Sequence, residues 1–508
     1  MSAVARPARV ARARAPALPA LGEAVRARIG ENVYSCYQCV KCTSGCPLAD
    51  QFDLTPNQVM RAVQLNDARV LESRTIWLCV SCYTCATRCP RGIDVTGVMD
   101  ALRIEARERG IPAAVPEVAA FNSLFMRLAR TFGRIPELVL MALFNLVQRK
   151  PFGNAELGWQ LLKRGRLKWF PTFVRPPRKV RPISAPATKV GYFPGCASQS
   201  SAKEYDETSR LAAQALDITL VEPVGWTCCG SSPAHATDAR RATVMPMRTL
   251  GTVERMGLAT LTSPCSSCFA RLKHAEYVAS RGSAKWREAA ATTGHDGYDY
   301  RGSVRVQHML DTFIEHAGMD KIARRVVRPL SDLKVACYYG CLITRPAKVT
   351  GAEHHEYPMK MDYLMRALGA EPVRWSSKTD CCGGSLGVIK PEVSVKMAKR
   401  VLEDARASGA QAIATMCPMC HMNLDARQKR MGFDAPTPII HATQLMVLAF
   451  GLGEDAAQLD KNIVDPRPLL RAWRSSAPFR KDVDASPGGS APRADRLGSE
   501  NTDRRRPR

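Results

Sequence analysis

The 508-residue chain is poor in aromatic and acidic residues and has no long hydrophobic run. Aromatic side chains make up 6% of the sequence, and 47 Asp and Glu stand against 73 Lys and Arg. A membrane-spanning helix needs roughly 18 apolar residues, whereas the best run, 138–147, is shorter and contains Asn145. The basic N-terminus also lacks the apolar core and the small-residue cleavage site of a secretory signal. These absences predict a protein without a transmembrane span and a cytoplasmic location.

The excess of basic residues lies mostly outside the regions expected to fold. Residues 1–28, 163–189 and 467–508 together carry +20 of the formal net charge of +26. An Arg-rich, acid-poor N-terminus also occurs in mitochondrial presequences, but a basic disordered tail explains it equally well. No nucleic-acid-binding motif accompanies the charge. Solvated tails, or a docking surface for an acidic partner, are therefore favoured over nucleic acid binding.

Nineteen cysteines are expected to be metal ligands or redox groups, because thiols stay reduced in the cytosol. The first eight form two runs, Cys36-x2-Cys39-x2-Cys42-x3-Cys46-Pro47 and Cys79-x2-Cys82-x2-Cys85-x3-Cys89-Pro90. This spacing is typical of bacterial two-cluster ferredoxins, in which the fourth Cys of each run ligates the other cluster. The predicted ligand sets of two cubane [4Fe–4S] clusters are Cys36, Cys39, Cys42 and Cys89, and Cys79, Cys82, Cys85 and Cys46. A pair of zinc sites is the alternative, but the three closely spaced Cys and the Cys-Pro endings favour cubanes.

The segment between the two runs predicts how Cys46 could return to the second run. Thr55, Pro56 and Gln58 form a capping box with Pro at the first helical position, which predicts a helix to about Val70. A helix and a return loop would bring Cys46 near Cys79.

The C-terminal half contains an internal repeat of about 150 residues. Its three shared motifs are Tyr192-Phe-Pro-Gly-Cys196 with Tyr338-Tyr-Gly-Cys341, Cys228-Cys229-Gly230 with Cys381-Cys382-Gly383, and Cys265-x2-Cys268 with Cys417-x2-Cys420. Three motifs in the same order at nearly constant distance indicate a duplicated domain. Short β-prone runs alternate with helical patterns three times in each unit, which predicts parallel α/β sheets. Each cysteine motif would then follow a strand, at the sheet edge where such folds bind ligands.

These patterns predict a multidomain protein, in which a helical ferredoxin-type domain precedes a duplicated α/β domain with parallel sheets. The expected segments are a disordered basic tail at 1–28, the two-cluster domain at 30–162, a basic Pro-rich linker at 163–188, α/β domains at 189–330 and 331–452, and a disordered tail at 466–508.

Each repeat offers five thiols, one more than a zinc ion or an ordinary cubane uses. The two sets are Cys196, Cys228, Cys229, Cys265 and Cys268, and Cys341, Cys381, Cys382, Cys417 and Cys420. Adjacent cysteines suit a polynuclear site, and the glycine after each pair would let the backbone approach it. An iron–sulfur site is favoured over zinc or over a vicinal disulfide with a redox CxxC pair. Cys337 has no counterpart in the first repeat and is interpreted as a bystander.

The motifs resemble one known family. Residues 34–39 together with 77–94 are similar to the C subunit of heterodisulfide reductase, and 189–452 resemble its B subunit with two cysteine-rich CCG domains. The resemblance implies a natural C–B fusion in which the five Cys of each CCG domain bind a noncubane [4Fe–4S] cluster. It further implies that the ten CCG cysteines form the disulfide-cleaving, catalytic site, and that a flavoprotein subunit is the electron-transfer partner in an oligomeric complex.

We therefore expect single electrons to pass through the cubanes to the paired CCG sites, where a small disulfide or lipoyl-type substrate is reduced, or thiols are oxidised. The alternative is an electron-transfer subunit that feeds a quinone or membrane partner without touching substrate. Apolar residues in 117–147 are interpreted as packing between domains rather than as a membrane surface. His308 and His441, late in each repeat, are expected to be core residues rather than proton donors.

Overall fold

The computed structural model describes residues 19–174, 180–184, 189–282, 284–295 and 300–476. The outer parts of both predicted tails and most of the second half of the predicted linker lie outside the described residues. No helix in the described part of the chain is long and apolar enough to cross a bilayer.

The N-terminal part is helical, as predicted. Its helices are α1 (Leu21–Ile29), α2 (Lys41–Ser44), α3 (Pro56–Gln64), α4 (Arg74–Leu78), α5 (Thr84–Thr87), α6 (Val95–Glu108), α7 (Pro116–Phe132), α8 (Glu137–Val147) and α9 (Ala155–Lys163). The capping box is present at α3, where the Thr55 N–H donates to Gln58 Oε1 over 2.8 Å. The helix ends at Gln64, earlier than the predicted Val70, because Asn66 takes a left-handed conformation that turns the chain.

The first α/β unit follows. Its elements are β1 (Lys189–Tyr192), α10 (Gly195–Ser198), α11 (Lys203–Ala215), β2 (Thr219–Val221), α12 (Ser231–Thr237), α13 (Ala239–Arg255), β3 (Thr260–Ser263), α14 (Ser266–Ser280), α15 (Ala284–His295), β4 (Arg305–His308), α16 (Met309–Ala317) and α17 (Met319–Arg324).

The second unit completes the described chain. Its elements are β5 (Lys334–Tyr338), α18 (Ala347–Thr350), α19 (Lys360–Ala367), β6 (Glu371–Pro372), α20 (Pro391–Ala407), β7 (Ala412–Thr415), α21 (Pro418–Asp425), β8 (Ile439–His441), α22 (Ala442–Ala449), α23 (Glu454–Ala457) and α24 (Arg467–Ser476).

Both units contain a four-stranded parallel sheet with the same topology. The strand orders are β2-β1-β3-β4 and β6-β5-β7-β8. The parallel α/β fold was therefore predicted correctly, but each sheet has a fourth strand that the three-strand pattern did not include. Strands β4 and β8 are only four and three residues long, which is too short for a clear periodic signal. They end at His308 and His441, respectively.

The two units share one hydrophobic core. It joins residues of β1 and α11 to residues of β5, α19 and α22. Cys337 is fully buried in this core, which fits its interpretation as a bystander. The N-terminal helices pack against both units, because α7 contributes Phe125 and Leu128 to a cluster with the first unit, whereas Val393 of the second unit joins the N-terminal core.

The folded chain extends into all three segments that were predicted to be tails or linker. Val25 of α1 is fully buried in the N-terminal core, and Leu470 of α24 is buried in the core shared by the two units. In the predicted linker, the buried Arg166 pairs with Glu204 of α11 over 2.8 Å. These apolar and ion-pair contacts could not be predicted, because the basic, proline-rich composition of the three segments is typical of tails and linkers.

Candidate metal centres

The two ferredoxin-type runs face each other. The Arg88 side chain, next to Cys89, packs against Gly45, next to Cys46. Burial, and after it the nearby thiols of Cys82 and Cys79, raise the pKa of Cys46. The fold thus brings Cys46 to the second run, as the predicted exchange of fourth cysteines requires.

The first three cysteines of each run lie close together. Burial raises the pKa of Cys42, and the neighbouring thiols of Cys36 and Cys39 act in the same direction. Burial also raises the pKa of Cys85, and the neighbouring thiols of Cys79 and Cys82 act in the same direction. Hydroxyl groups lie beside two thiols of the second run, since Thr84 Oγ1 is 3.3 Å from Cys82 Sγ and Thr96 Oγ1 is 3.5 Å from Cys85 Sγ.

All five cysteines of the first repeat converge after the strands of its sheet. The sulfur atoms of Cys229 and Cys268 are 3.4 Å apart. Contacts with Cys196 and Cys229, together with burial, raise the pKa of Cys228. The thiol of Cys265 contacts Cys268 as well.

The second repeat has the same arrangement. The sulfur atoms of Cys382 and Cys420 are 3.7 Å apart, and Cys341 contacts Cys381. Backbone N–H groups also point at equivalent thiols, because Gly230 donates to Cys228 Sγ and Gly383 donates to Cys381 Sγ, each over 3.4 Å.

Both five-thiol sites fit a polynuclear iron–sulfur group. Each gathers soft thiol donors and backbone N–H groups, the surroundings in which anionic clusters are held. Gly195 and Gly340 have φ values of +79° and +68°, and a Cβ atom at either position would stand 3.0 Å from Cys268 Sγ or Cys420 Sγ. A side chain would therefore fill space at the edge of each thiol set, and glycine leaves it open.

The candidate centres form a row. Contact with Cys341 and burial raise the pKa of Cys381, and Cys82 of the ferredoxin-type domain is a further near neighbour. At the other end of the second five-thiol site, Cys417 contacts Cys265 of the first site. The row thus runs from the second ferredoxin-type set, through the site of the second repeat, to the site of the first.

Arg345 lies at the first junction of this row, between the ferredoxin-type domain and the second repeat. Arg345 is fully buried, and its Nη1 donates to Thr84 Oγ1 over 2.8 Å and to the Thr379 carbonyl over 2.9 Å. Its Nη2 donates to Thr379 Oγ1 and to Glu356. Thr84 in turn lies beside Cys82. Arg345 follows Cys341 by four residues, but no spacing rule identified it from sequence.

A second buried network joins the ferredoxin-type domain to the first repeat. Asp100 Oδ2 lies 2.7 Å from Nδ1 of His235. His235 is on α12, the helix that follows the Cys228–Cys229 pair. Arg103 donates to Asp100 and to the carbonyl of Cys79. Although burial opposes it, the charge of these partners lowers the pKa of Asp100, and burial lowers the pKa of His235.

A third polar cluster, formed by Glu204, His421 and His441, lies next to Tyr205, a neighbour of Cys265 and Cys417. The His441 ring stacks on Tyr205 and His421, with centroid distances of 3.9 and 4.0 Å, and its Nε2 is 3.9 Å from Glu204. Burial raises the pKa of Glu204 to about 7 against the opposing attraction of Arg166. Sequence reasoning singled out His441 but not its neighbours, because they are distant along the chain.

The other aromatic and histidine candidates are buried residues beside the sheets. His308 is the N-cap of α16, where its Nδ1 accepts from the Leu310 N–H, and its ring packs edge-on against Phe269. Tyr192 donates to Asp206, and Tyr338 donates to the Asp380 carbonyl.

Comparison with known families reproduces this division of the chain. A family described as a 4Fe-4S dicluster domain matches residues 35–94, and a family described as a cysteine-rich domain (CCG) matches 190–273 and 335–425. The site and fold therefore define an iron–sulfur protein that combines a two-cluster ferredoxin-type domain with paired cysteine-rich domains and carries [4Fe–4S] clusters.

Individual relatives match different parts of the chain. The 8-methylmenaquinol:fumarate reductase membrane anchor subunit of Wolinella succinogenes is 32% identical over 282 residues, which are 55% of this chain and 98% of the relative. The B subunit of a CoB-CoM heterodisulfide reductase from Methanosarcina acetivorans is 28% identical over 301 residues, 58% of this chain and 99% of the relative. The C subunit of such a reductase from Methanosarcina mazei is 41% identical over 81 residues, 16% of this chain and 50% of the relative.

The chain belongs to the family of heterodisulfide reductase B subunits and their fumarate reductase relative, with a C-subunit-like domain joined on the N-terminal side. A crystal structure of a hypothetical protein from Helicobacter pylori has a similar fold, with a TM-score of 0.58 at 10% identity over 89% of this chain and 76% of that protein.

Proposed function

We propose that the chain is the electron-transferring, disulfide-cleaving subunit of a thiol/disulfide oxidoreductase complex. The row of cysteine sets carries this proposal, because its two junctions, Cys82 to Cys341 and Cys417 to Cys265, place each set beside the next. The net reaction is R–S–S–R′ + 2e⁻ + 2H⁺ giving R–SH and R′–SH, or its reverse. A multi-subunit complex is supported because the related heterodisulfide reductase proteins are themselves subunits.

We propose that the eight ferredoxin-type cysteines bind two cubanes in the predicted crossed sets, and that the five cysteines of each CCG unit bind a noncubane cluster. When bound, these groups supply one-electron chemistry and thiolate-accepting iron. The chain contributes the thiol ligands, the N–H donors at Gly230 and Gly383, and the packing that keeps the centres adjacent. A flavoprotein subunit is the proposed source of electrons.

The first CCG site is where we propose that the disulfide enters. Cys196 is half-buried and lines a cleft with Arg134 and Lys168, whereas the other four thiols of this set are buried. Glu137 lines the cleft too, but its carboxylate accepts hydrogen bonds from Ser201 and burial raises its pKa. The two cationic side chains therefore favour a disulfide that carries anionic groups. The Ile135 N–H, which donates to Cys196 Sγ over 3.3 Å, positions that thiol at the cleft.

A second candidate function is electron transfer to a quinone or another membrane partner without disulfide chemistry. The relative at 32% identity, a membrane anchor subunit of an 8-methylmenaquinol:fumarate reductase, favours it. Both candidates use the same row of centres, so the substrate distinguishes them.

Iron and sulfide analysis of the anaerobically purified chain, with EPR and Mössbauer spectra, tests the cluster assignment. Four clusters predict about 16 iron atoms, with an unusual spectrum after thiol is added. Stoichiometric zinc, or only about 8 iron atoms without that spectrum, contradicts the noncubane sites.

Turnover assays separate the two functions. With a reduced dye as electron donor, wild type is expected to reduce a small disulfide, and Cys417→Ala is expected to abolish this turnover while the cubane EPR signals persist. Cys337→Ala is the matched control, since this buried thiol lies in the shared core away from both sets. Reduction of a quinone analogue but of no disulfide by wild type would instead support the second function.

A further inference from the structure

Residues 143–173 expose an unusual amount of apolar surface. Of the 17 large apolar side chains exposed among the residues that the structure describes, eight lie in these 31 residues. They are Leu143, Leu146, Val147, Phe152, Trp159, Trp169, Phe170 and Phe173. Every Trp and Phe among the 17 belongs to this group, which we call the aromatic segment. Single exposed apolar residues are common, but such a concentration marks an interaction surface.

Helix α8 shows that this exposure is not explained by packing between domains. Leu140 and Phe144 are buried, whereas Leu143, Leu146 and Val147 are 38–68% exposed. The apolar residues of 117–147 were predicted to pack between domains, and this holds for Phe125 of α7 but not for the exposed Leu143, Leu146 and Val147 of α8. The Asn145 side chain donates to the Gly153 carbonyl over 2.6 Å and so ties the end of α8 to the turn that carries Phe152.

The charged residues of the aromatic segment are predominantly basic. Arg149, Lys150, Lys163 and Lys168 are exposed, and Glu156 is the single acidic residue between 143 and 173. Lys163 and Trp159 share a face of α9, where Lys163 Nζ lies 5.1 Å from the ring centroid. Protruding Trp and Phe side chains with Lys and Arg among them match the bilayer interface, where rings sit at headgroup depth and cations pair with lipid phosphates.

We propose that the aromatic segment binds the surface of an anionic lipid bilayer. The exposed fractions of Phe152, Trp159 and Trp169 are 58–85%, so these side chains project outward instead of lining a groove for a protein anchor. This proposal does not rest on which reaction the CCG sites perform. Lys168 and Phe170 also line the cleft that contains Cys196, so binding would bring the mouth of that cleft to the bilayer.

Vesicle co-sedimentation of the full-length, cluster-loaded protein tests this proposal. We expect binding to phosphatidylcholine vesicles that contain about a quarter phosphatidylglycerol, and weaker binding to phosphatidylcholine alone or at high salt. The triple variant Phe152→Ser, Trp159→Ser, Phe170→Ser is expected to bind at least about tenfold more weakly. The matched control carries Leu65→Ser, Tyr363→Ser and Leu452→Ser, three exposed apolar positions elsewhere, and is expected to bind as wild type does.

Absence of wild-type binding to either vesicle overturns the proposal and favours a protein partner for the aromatic segment. Equal binding by wild type and the triple variant overturns it too. Should the triple variant fail to retain its clusters, brominated lipids provide a second measurement on folded wild type. They are expected to quench the fluorescence of Trp159 and Trp169, and quenching that persists unchanged in Trp159→Phe, Trp169→Phe contradicts insertion.

Discussion

Replacing Arg345 by Met should weaken the junction between the ferredoxin-type domain and the second CCG unit. The side chain is 1% exposed and makes four hydrogen bonds: one crosses this junction to Thr84, and three lie within the second unit, to two atoms of Thr379 and to Glu356. Methionine keeps much of the volume but leaves the Thr379 carbonyl without this donor, at a cost of roughly 1–3 kcal/mol for a buried group.

The contact with Glu356 contributes less than the contacts with Thr84 and Thr379. Glu356 is 37% exposed and also pairs with Arg88 over 2.7 Å, so water and Arg88 compensate for most of its loss. Together with the lost bonds to the Thr84 and Thr379 hydroxyls, these effects predict a destabilisation of about 2–4 kcal/mol, because no buried charge is left unpaired. Arg345→Lys keeps the charge but not the planar fork, and should fall between Met and wild type.

The assay has two readouts. One is the rate at which cluster absorbance is lost in guanidinium under anaerobic conditions, because unfolding with bound metal does not give a well-defined equilibrium free energy. The other is freeze-quench EPR, which follows electron arrival at the CCG sites after the cubanes are reduced. Both the resistance to guanidinium and the transfer rate should fall in Arg345→Met.

The control is Arg305→Met. This arginine pairs with Glu315 in a surface pair whose side chains are 61% and 34% exposed, so its loss should cost less than about 1 kcal/mol. The reasoning is refuted if Arg345→Met keeps both the wild-type resistance and the wild-type transfer rate.

Three further predictions concern the centres and their surroundings. We expect Cys46→Ser to block electron arrival at the CCG sites, because this thiol is proposed to ligate the cubane beside them, and Cys89→Ser to disturb the outer cubane instead. Identical EPR losses in both variants would contradict the proposed crossed sets. Gly340→Ala should remove about four iron atoms, because its Cβ would meet Cys420 Sγ, while Gly351→Ala, with a similar φ and open space around it, should retain full iron content. The pKa of Glu204 is raised from 4.5 to about 7, so its contribution to stability is complete below pH 4.5 and is lost as the pH rises through 7. Glu204→Gln should remove this pH-dependent loss of about 3 kcal/mol, and its unfolding midpoint should vary less than that of wild type between pH 5 and 8. A pH dependence equal to that of wild type would argue against the buried acid.

The cysteine spacing was sufficient to predict the domain types and the cofactor, because the ligands of one cluster occur at characteristic intervals along the sequence. Cys36 to Cys46 and Cys228–Cys229 illustrate this, since their partners lie at recognisable positions along the sequence. Strand positions followed as well, because β1, β3, β5 and β7 are short β-prone runs that immediately precede cysteine motifs.

Interactions between distant segments could not be read in this way. Arg345 acts on a threonine 261 residues away, and the pair of Asp100 and His235 joins positions 135 residues apart. Neither pairing leaves a periodic or spaced signal, because only the folded chain brings the partners together. The buried Val25 was missed for a related reason: the surrounding Arg and Ala residues gave the segment the composition of a tail.

The core shared by the two CCG units has a consequence for how the duplicated half folds. Each unit leaves one apolar side incomplete until the other covers it, with α11 packed on α22 and Met309 buried in the same cluster as Met361. Such a pair behaves as one cooperative unit rather than as two independent domains. A chain cut between Arg324 and Lys334 would expose this surface on both fragments, so the duplicated architecture has become indivisible even though its sequence repeat is still visible.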